Sequence, residues 1–542
     1  MTAVLRRDTR WWGWGNPREA TVLSEGAEQM LAERGIGASG GADVPPLDSV
    51  EIPAAEDLPD AVLDAAGRGN VSTSDEDRLR HSGGQSYADL IERRSGVVAH
   101  APDAVVALDS PERIVALLEA CAKNSVAVVP FGGGTSVVGG VVPERGGFER
   151  VISLDTGNLR EVTVDPVSQT ATLGAGLRGP EAESALLQSG FTLGHFPQSF
   201  EYATIGGFAA TRSAGQASSG YGRFDSLVSS IRLASPVGVL STLETPHTAI
   251  GPALRELVVG SEGAFGVIPD VTVRIRPVPQ VKRYEAWLVE DFETGSGMIR
   301  SLAQSDRLPT VARISDRVET EVSLGISGPS GLTGEAFRRY LRLRGKSGGC
   351  LMIVGLEGSE AGVRRRRQDL IRTLRSAGAL SLGQSAGRGW EKGRFHGPYL
   401  REALLDRGLV VDTLETAQQW SRHRELYEAV QTAIQSELDA LGMNGIVMCH
   451  LSHAYRDGAS LYFTVIASPG QDGGLASWRR IKAAASAAIQ VAGGTLSHHH
   501  ATGRDHRPYL EGEIGAIGME TLRAVKDQLD PTGIMNPGCL LP

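Results

Sequence analysis

Cysteine is scarce: four residues in 542, Cys121, Cys350, Cys449 and Cys539, far apart and never in a CxxC pair. Such spacing excludes a zinc ribbon and a disulfide scaffold, and a reducing compartment is the simplest setting. No run of 18 apolar residues occurs, so no membrane-spanning helix is expected. The opening MTAVLRRDTRWWGWG lacks the apolar centre of a signal peptide, and a cytoplasmic place is the expectation. Charge of one sign is nowhere concentrated: the net charge is −9, without an acidic or basic tail. The tightest basic run, Arg364 to Arg367, falls in a helical pattern and reads as a solvated face, so nucleic acid is not an expected partner. Lysine supplies only six of the 54 basic residues, a bias that points to a GC-rich genome and towards a bacterial source. No internal repeat is found. What remains is ordinary for a globular protein, 41% hydrophobic and 22% charged, at a length beyond what one core usually serves.

Along the chain, residues 1–98 read as an irregular extension with a tryptophan-rich start (Trp11, Trp12, Trp14) expected to dock on a neighbouring domain. Gly37–Pro46 reads as a surface linker. From about residue 99 the texture is strand, helix, strand (VVALDS, PERIVALLEACAKN, VAVVPFGGG), followed by a hairpin across Pro166–Gln169 and a helix over Pro180–Gln188. This first domain is expected to end near residue 279, where prolines interrupt VTVRIRPVP. Residues 280–520 alternate strands (YEAWLVE, GCLMIVGLEG, GIVMCHLSHAY, ASLYFTVIAS) with helices over Ala361–Ser376, Trp420–Leu441 and Gly474–Ala492, interrupted by a Gly/Ser-rich loop at Leu324–Gly334. Residues 521–542 read as a closing helix and an extended tail.

Four glycine clusters carry most of the chemistry visible in the first half. Pro130-Phe131-Gly132-Gly133-Gly134-Thr135-Ser136 leaves an apolar strand directly. Its glycines allow close main-chain approach, and its N–H and hydroxyl groups suit a pyrophosphate. No GK[ST] follows, so it is not a Walker loop. Gly174, Gly176 and Gly179 spell the dinucleotide fingerprint, but the preceding strand belongs to a hairpin and no acidic residue ends a later strand; a plain turn is the better reading. A third cluster runs Pro197-Gln198-Ser199-Phe200-Glu201-Tyr202-Ala203, then Gly206-Gly207 and Ala210-Thr211-Arg212-Ser213. The fourth is Gly260-Ser261-Glu262-Gly263-Ala264-Phe265-Gly266. Small residues at this density make a poor core and a good wall for a flat cofactor.

In the second half, His498, His499 and His500 follow Gly493-Gly494, and metal binding, catalysis and structure are equally open on pattern alone. Tyr462 in SLYFTV fits a half-buried sheet tyrosine, and Tyr455 lies nearby. Arg313 in VARISD fits a surface strand arginine.

Taken together, PFGGGTS, PQSFEYATIGGFAATR, GSEGAFGV, LVVDTLETA and GGTLSHHHATG resemble the vanillyl-alcohol-oxidase-type FAD-binding flavoproteins, and within them the alkyldihydroxyacetonephosphate synthase family. The resemblance runs from RWWGWG to the C-terminus, and the triple histidine is its most specific part. It implies an α+β protein: a two-subdomain FAD-binding domain over residues 99–279, a cap domain over 280–520 that recognises substrate, and a tail over 521–542 that returns to the flavin site. FAD would contact residues 130–136, 197–203, 206–207, 210–213 and 260–266. No histidine lies in the GGGTS loop and no cysteine nearby, so non-covalent FAD is expected, and no metal.

The same resemblance makes Tyr462 the acid/base residue, His498, His499 and His500 its assistants in proton transfer, Arg313 an arginine needed for activity, and Arg401 in PYLRE the residue that holds a substrate phosphate. Glu402 stands where the family more often has Asp. His195 is a weaker candidate behind the flavin loop. The implied reaction exchanges the acyl chain of acyl-dihydroxyacetone phosphate for a fatty alcohol without net oxidation. The rival is an FAD dehydrogenase or oxidase of a 2-hydroxy acid or related alcohol, which shares the fold and FAD loops; a flavin-binding protein without turnover is a distant third. A small lipid-like substrate is the expected partner, with room for a homodimer and for contact with a membrane surface.

Overall fold

Strand pairing divides the chain into three main sheets, each with its own apolar core. The computed structural model describes residues 5–19, 22–37, 44–327, 331–470 and 474–541. The first sheet runs Val71–Ser72, Ala104–Ala107, Arg150–Asp155, Val126–Phe131, with its last three strands parallel. Its strands are apolar on both faces, as parallel strands covered on both sides must be, and the helix Pro111–Lys123 buries Ile114, Leu117, Leu118 and Cys121 against them. The second sheet is antiparallel and runs Val162–Asp165, Thr170–Gly174, Asp270–Arg274, Val228–Ser235, Gly238–Ser241. Thr170–Gly174 forms the expected hairpin with Val162–Asp165, not a dinucleotide turn. Gly174 and Gly176 face the carbonyls of Leu159 and Thr156 so closely that a Cβ would overlap them.

The third sheet is antiparallel with seven strands: Leu380–Leu382, Val281–Val289, Cys350–Gly358, Val311–Ser315, Gly445–Ala454, Gly458–Ala467 and Val410–Gln419. Alternation divides its two faces. Leu414, Leu461, Phe463, Val465 and Cys449 pack under helices His423–Ala440 and Leu475–Val491. The residues between them, Thr413, Glu415, Tyr462, Thr464 and His450, point the other way, toward the first domain.

Some expectations need correction. Residues 1–98 are not simply irregular: they hold helices Glu25–Glu33, Asp60–Ala66, Asp75–Arg80 and Tyr87–Ser95. Ser24, Ser74 and Ser86 start three of these by accepting a main-chain N–H. Trp11 and Trp14 are buried, as expected. Residues 38–43 of the expected linker lie outside the described residues. Helices Arg317–Ser327 and Gly331–Leu343 occupy most of the segment read as a loop, and residues 328–330 are not among those described. The arginine run is only half solvated: Arg366 bonds the Glu357 carbonyl and Arg367 the Glu285 carboxylate, each at 2.5 Å. The boundary drawn at 520 falls inside helix Leu510–Leu529, kinked at Gly515. Beyond it the tail joins the first sheet, where Val128 exchanges hydrogen bonds with Ile534 and Asn536 at 2.8 Å each. Among the described residues no helix is long and apolar enough to cross a membrane.

Candidate active site

Between the two domains lies a groove walled by main chain. The loop after strand Val126–Phe131 lies flat on residues 202–204. A Cβ on Gly133 would overlap the Tyr202 carbonyl, and one on Gly132 the Thr204 hydroxyl. Among the described residues, the main-chain N–H groups of Gly133, Gly134 and Thr135 bond no protein acceptor. The side-chain oxygens of Gln198 and Ser261 are buried without a partner. Buried polar groups are normally satisfied, so this wall suits a ligand rich in acceptors and donors, as a flavin dinucleotide is.

The third and fourth clusters join this wall unevenly. Thr204 caps the short helix Ile205–Ala210, and Gly206 packs on Ala175. The Ala210 carbonyl accepts the Glu262 N–H at 3.0 Å, and Thr211 bonds Gly207. Arg212 turns its guanidinium away, onto the carbonyls of Glu256 and Val259. Ser213 lies 3.0 Å from His195, whose other nitrogen is buried and unpartnered. Phe131 packs on His81 and Phe200 on Phe395. Both His81 nitrogens are engaged, by Asp77 at 2.7 Å and Asp155 at 3.0 Å. Residues 261–266 are all buried, with Ala264 and Phe265 in the core of the domain and Gly263 against Pro130.

The reactive face is built across three neighbouring strands, where register places Glu415, Tyr462 and His450 side by side. The Tyr462 ring stacks on His450 at 4.8 Å, with His500 edge-on at 5.5 Å and His499 at 6.1 Å. Burial pushes its phenol up to about 12, against the pull of a Thr413 hydrogen bond, so the hydroxyl carries its proton.

Sequence reading missed the residue that shapes this cluster. Glu415 is buried beneath the histidine turn. Its oxygens accept the N–H groups of His498, His499 and His500 at 2.8, 2.6 and 2.7 Å and the Ser497 hydroxyl at 2.7 Å. Burial alone would raise its pKa, but the facing imidazoles, His499 first, hold it well below the usual carboxylate range. The turn is tied to the same strand by Thr416, which bonds the Thr495 carbonyl at 2.6 Å. A glutamate at alternate spacing in the apolar run VVDTLETA was the available signal. His450 and His453, in MCHLSHAY, were missed as well.

All three run histidines therefore face the cluster. His498 lies 2.7 Å from the Tyr455 hydroxyl and 3.0 Å from His499; His453 stacks on His498 and lies 2.9 Å from Ser218. His453, His498 and His499 each bring a nitrogen within 4.8 Å of the others, a spacing that a cation would fit. In this structure their ring nitrogens are hydrogen-bonded to Ser218, Tyr455 and one another. Burial drives His498 and His500 down to about 3, so both are neutral bases.

The two arginines act at different depths. Arg313 lies against His450, 3.1 Å from each ring nitrogen, and pairs with Glu319, which itself sits 3.0 Å from His450. It therefore bears on Tyr462 through His450. Arg401 donates to the Gln85 carbonyl at 2.9 Å and the Gln85 side chain at 2.8 Å, which ties it to the Ser136 end of the glycine loop, since Gln85 bonds the Ser136 carbonyl. Its Nε is buried without a partner.

Residues 102–244 match the family described as FAD binding domain, and residues 278–540 the one described as FAD linked oxidases, C-terminal domain. An alkyldihydroxyacetonephosphate synthase of Trypanosoma brucei brucei is 35% identical over 86% of this chain and 77% of its own length. One of Dictyostelium discoideum is 31% identical over the same shares. A solved alkyldihydroxyacetonephosphate synthase superposes with a TM-score of 0.84 at 26% identity, covering 98% of both chains.

Proposed function

The chain belongs to the alkyldihydroxyacetonephosphate synthase family, and from that premise we propose that it replaces the acyl chain of an acyl-dihydroxyacetone phosphate by a long-chain alcohol without net oxidation. FAD is its cofactor, and the glycine-walled groove fits it. When bound, the flavin supplies a group that takes up and returns electron density while one oxygen substituent at the substrate's C1 replaces another. The protein's part is positioning and proton transfer. Tyr462 takes the proton from C1 and later returns it, passing its own hydroxyl proton meanwhile to the neutral imidazoles around it. Arg401, with its unpartnered Nε beside the glycine loop, holds the substrate phosphate.

The observation that carries this reading is the phenol of Tyr462 set between His450 and the Glu415-anchored histidine turn, on the sheet face turned to the flavin groove. Anaerobic mixing of the yellow protein with substrates tests it. Exchange of the acyl group for a long alcohol, with no electron acceptor consumed, is expected. Full bleaching by a 2-hydroxy acid, with electrons then passed on, would overturn it in favour of a dehydrogenase.

A further inference from the structure

The proposed exchange converts an ester and an alcohol into an ether and a carboxylic acid. At neutral pH the acid leaves as its carboxylate, so each turnover frees one proton inside a closed site. Two of the three branches leading from Tyr462 end in buried ion pairs, the first of Arg313 with Glu319. His450 is backed by the Arg313 guanidinium, and His500 feels the buried ammonium of Lys482, which lies 2.9 Å from Asp505 and 3.5 Å from Asp412. Neither reaches an exposed side chain, the five partners being 8–16% exposed.

The third branch is linked by hydrogen bonds from His499 outward. His499 Nδ1 lies 3.2 Å from Glu415 and 3.0 Å from His498 Nδ1; on the far side of that ring, His498 Nε2 lies 2.7 Å from the Tyr455 hydroxyl. Tyr455 is partly exposed and opens the turn to Gly458, whose Arg456 and Asp457 are exposed and line a surface hollow with Gln304. Burial pushes the Tyr455 phenol up to about 12, with the Arg223 guanidinium beside it pulling the other way.

We propose that His499, His498 and Tyr455 form the exit by which the reaction's proton reaches water, a reading that rests on the exchange reaction proposed above. His499 gives a proton to Nδ1 of His498, His498 gives one from Nε2 to the Tyr455 oxygen, and Tyr455 gives its hydroxyl proton to solvent. One proton enters, one leaves, and no electrons move.

The test uses the full-length, flavin-loaded enzyme, after exchange activity has been established in the unaltered protein; absence of exchange there would overturn the functional reading itself, before any variant is made. In Tyr455→Phe, flavin content and the KM for the phosphorylated substrate should stay unchanged, while kcat falls by about tenfold. Added imidazole, a diffusible proton carrier, should restore it. An unchanged kcat, or a loss that imidazole does not repair, overturns the exit. If Tyr455→Phe fails to fold, Arg223→Gln reads the same branch and should show the same imidazole-repaired loss; an unchanged rate there is equally fatal. A stoichiometric metal carried by the purified enzyme and lost in His499→Ala would overturn the proposal too, because these nitrogens would then be ligands.

Discussion

Tyr462 keeps its proton because its surroundings are dry, so deleting only the hydroxyl leaves the packing intact and removes the chemistry. Tyr462→Phe should retain the bound flavin spectrum and lose about 100-fold or more in kcat, measured as acyl-for-alkyl exchange. Glu415 is different in kind. In Glu415→Gln an amide NH2 would replace one oxygen of a carboxylate that faces four donors, and the variant should lose about 3–5 kcal/mol in chemical denaturation along with activity. The triple histidine, Tyr462 and Arg401 were readable from linear motifs. Glu415, His450 and His453 were not, because their roles depend on which strands lie side by side. The register that sets Glu415 and His450 on either side of Tyr462 joins residues tens of positions apart.

At the level of elements, the strands were legible because alternation survives in a single sequence: SLYFTV gives one face to the helices and the other to the groove. The short helices before residue 98 and the two around 317–343 were not, since polar or Gly/Ser-rich composition hides helices that tertiary contacts and serine caps hold in place. Glycine clusters showed where main chain approaches main chain, without showing that Ala264 and Phe265 turn into the core. Gly133→Ala should therefore lose flavin, because its methyl would push the loop off Tyr202; the ratio of flavin to protein absorbance measures it. The helix Gly397–Leu405 carries Arg401 and is braced by the N-terminal loop, where Gly13 lies against the Glu402 carboxylate, and by Arg94 of helix Tyr87–Ser95, which bonds that carboxylate at 2.8 Å. Gly13→Ala should raise the KM for a phosphorylated substrate with little change in kcat.

Across the whole molecule, the domains meet through an apolar cluster of Phe196 and Phe200 with Tyr284 and Phe395, and through buried polar contacts. Glu357 of the cap accepts the hydroxyls of Tyr221, from the first domain, and Tyr284 at 2.5 Å each, and Ser218 reaches His453. Such joints respond to acid. Burial lowers His195, His498 and His500 to about 3, against an ordinary 6.5. Depressed folded-state values mean that their contribution is complete above the unfolded pKa and is lost as pH falls from 6.5 toward 3. The thermal midpoint should therefore drop as buffer pH is lowered from about 7 to about 5, and His195→Gln should flatten that slope.

Glu262 ties distant parts of the chain together. Its carboxylate accepts the N–H groups of Thr502 and Gly503 at 2.8 and 2.7 Å, and its carbonyl holds Asn536 of the tail at 2.7 Å. One side chain on the nucleotide-binding wall thus steadies the segment just downstream of the three imidazoles. Flavin binding against this wall would then be linked to the order of that segment, each strengthening the other by the same factor. Stripping the flavin should speed deuterium uptake at residues 497–503 as well as in the glycine loops, and a mutation that frays those seven residues should make the enzyme lose its colour.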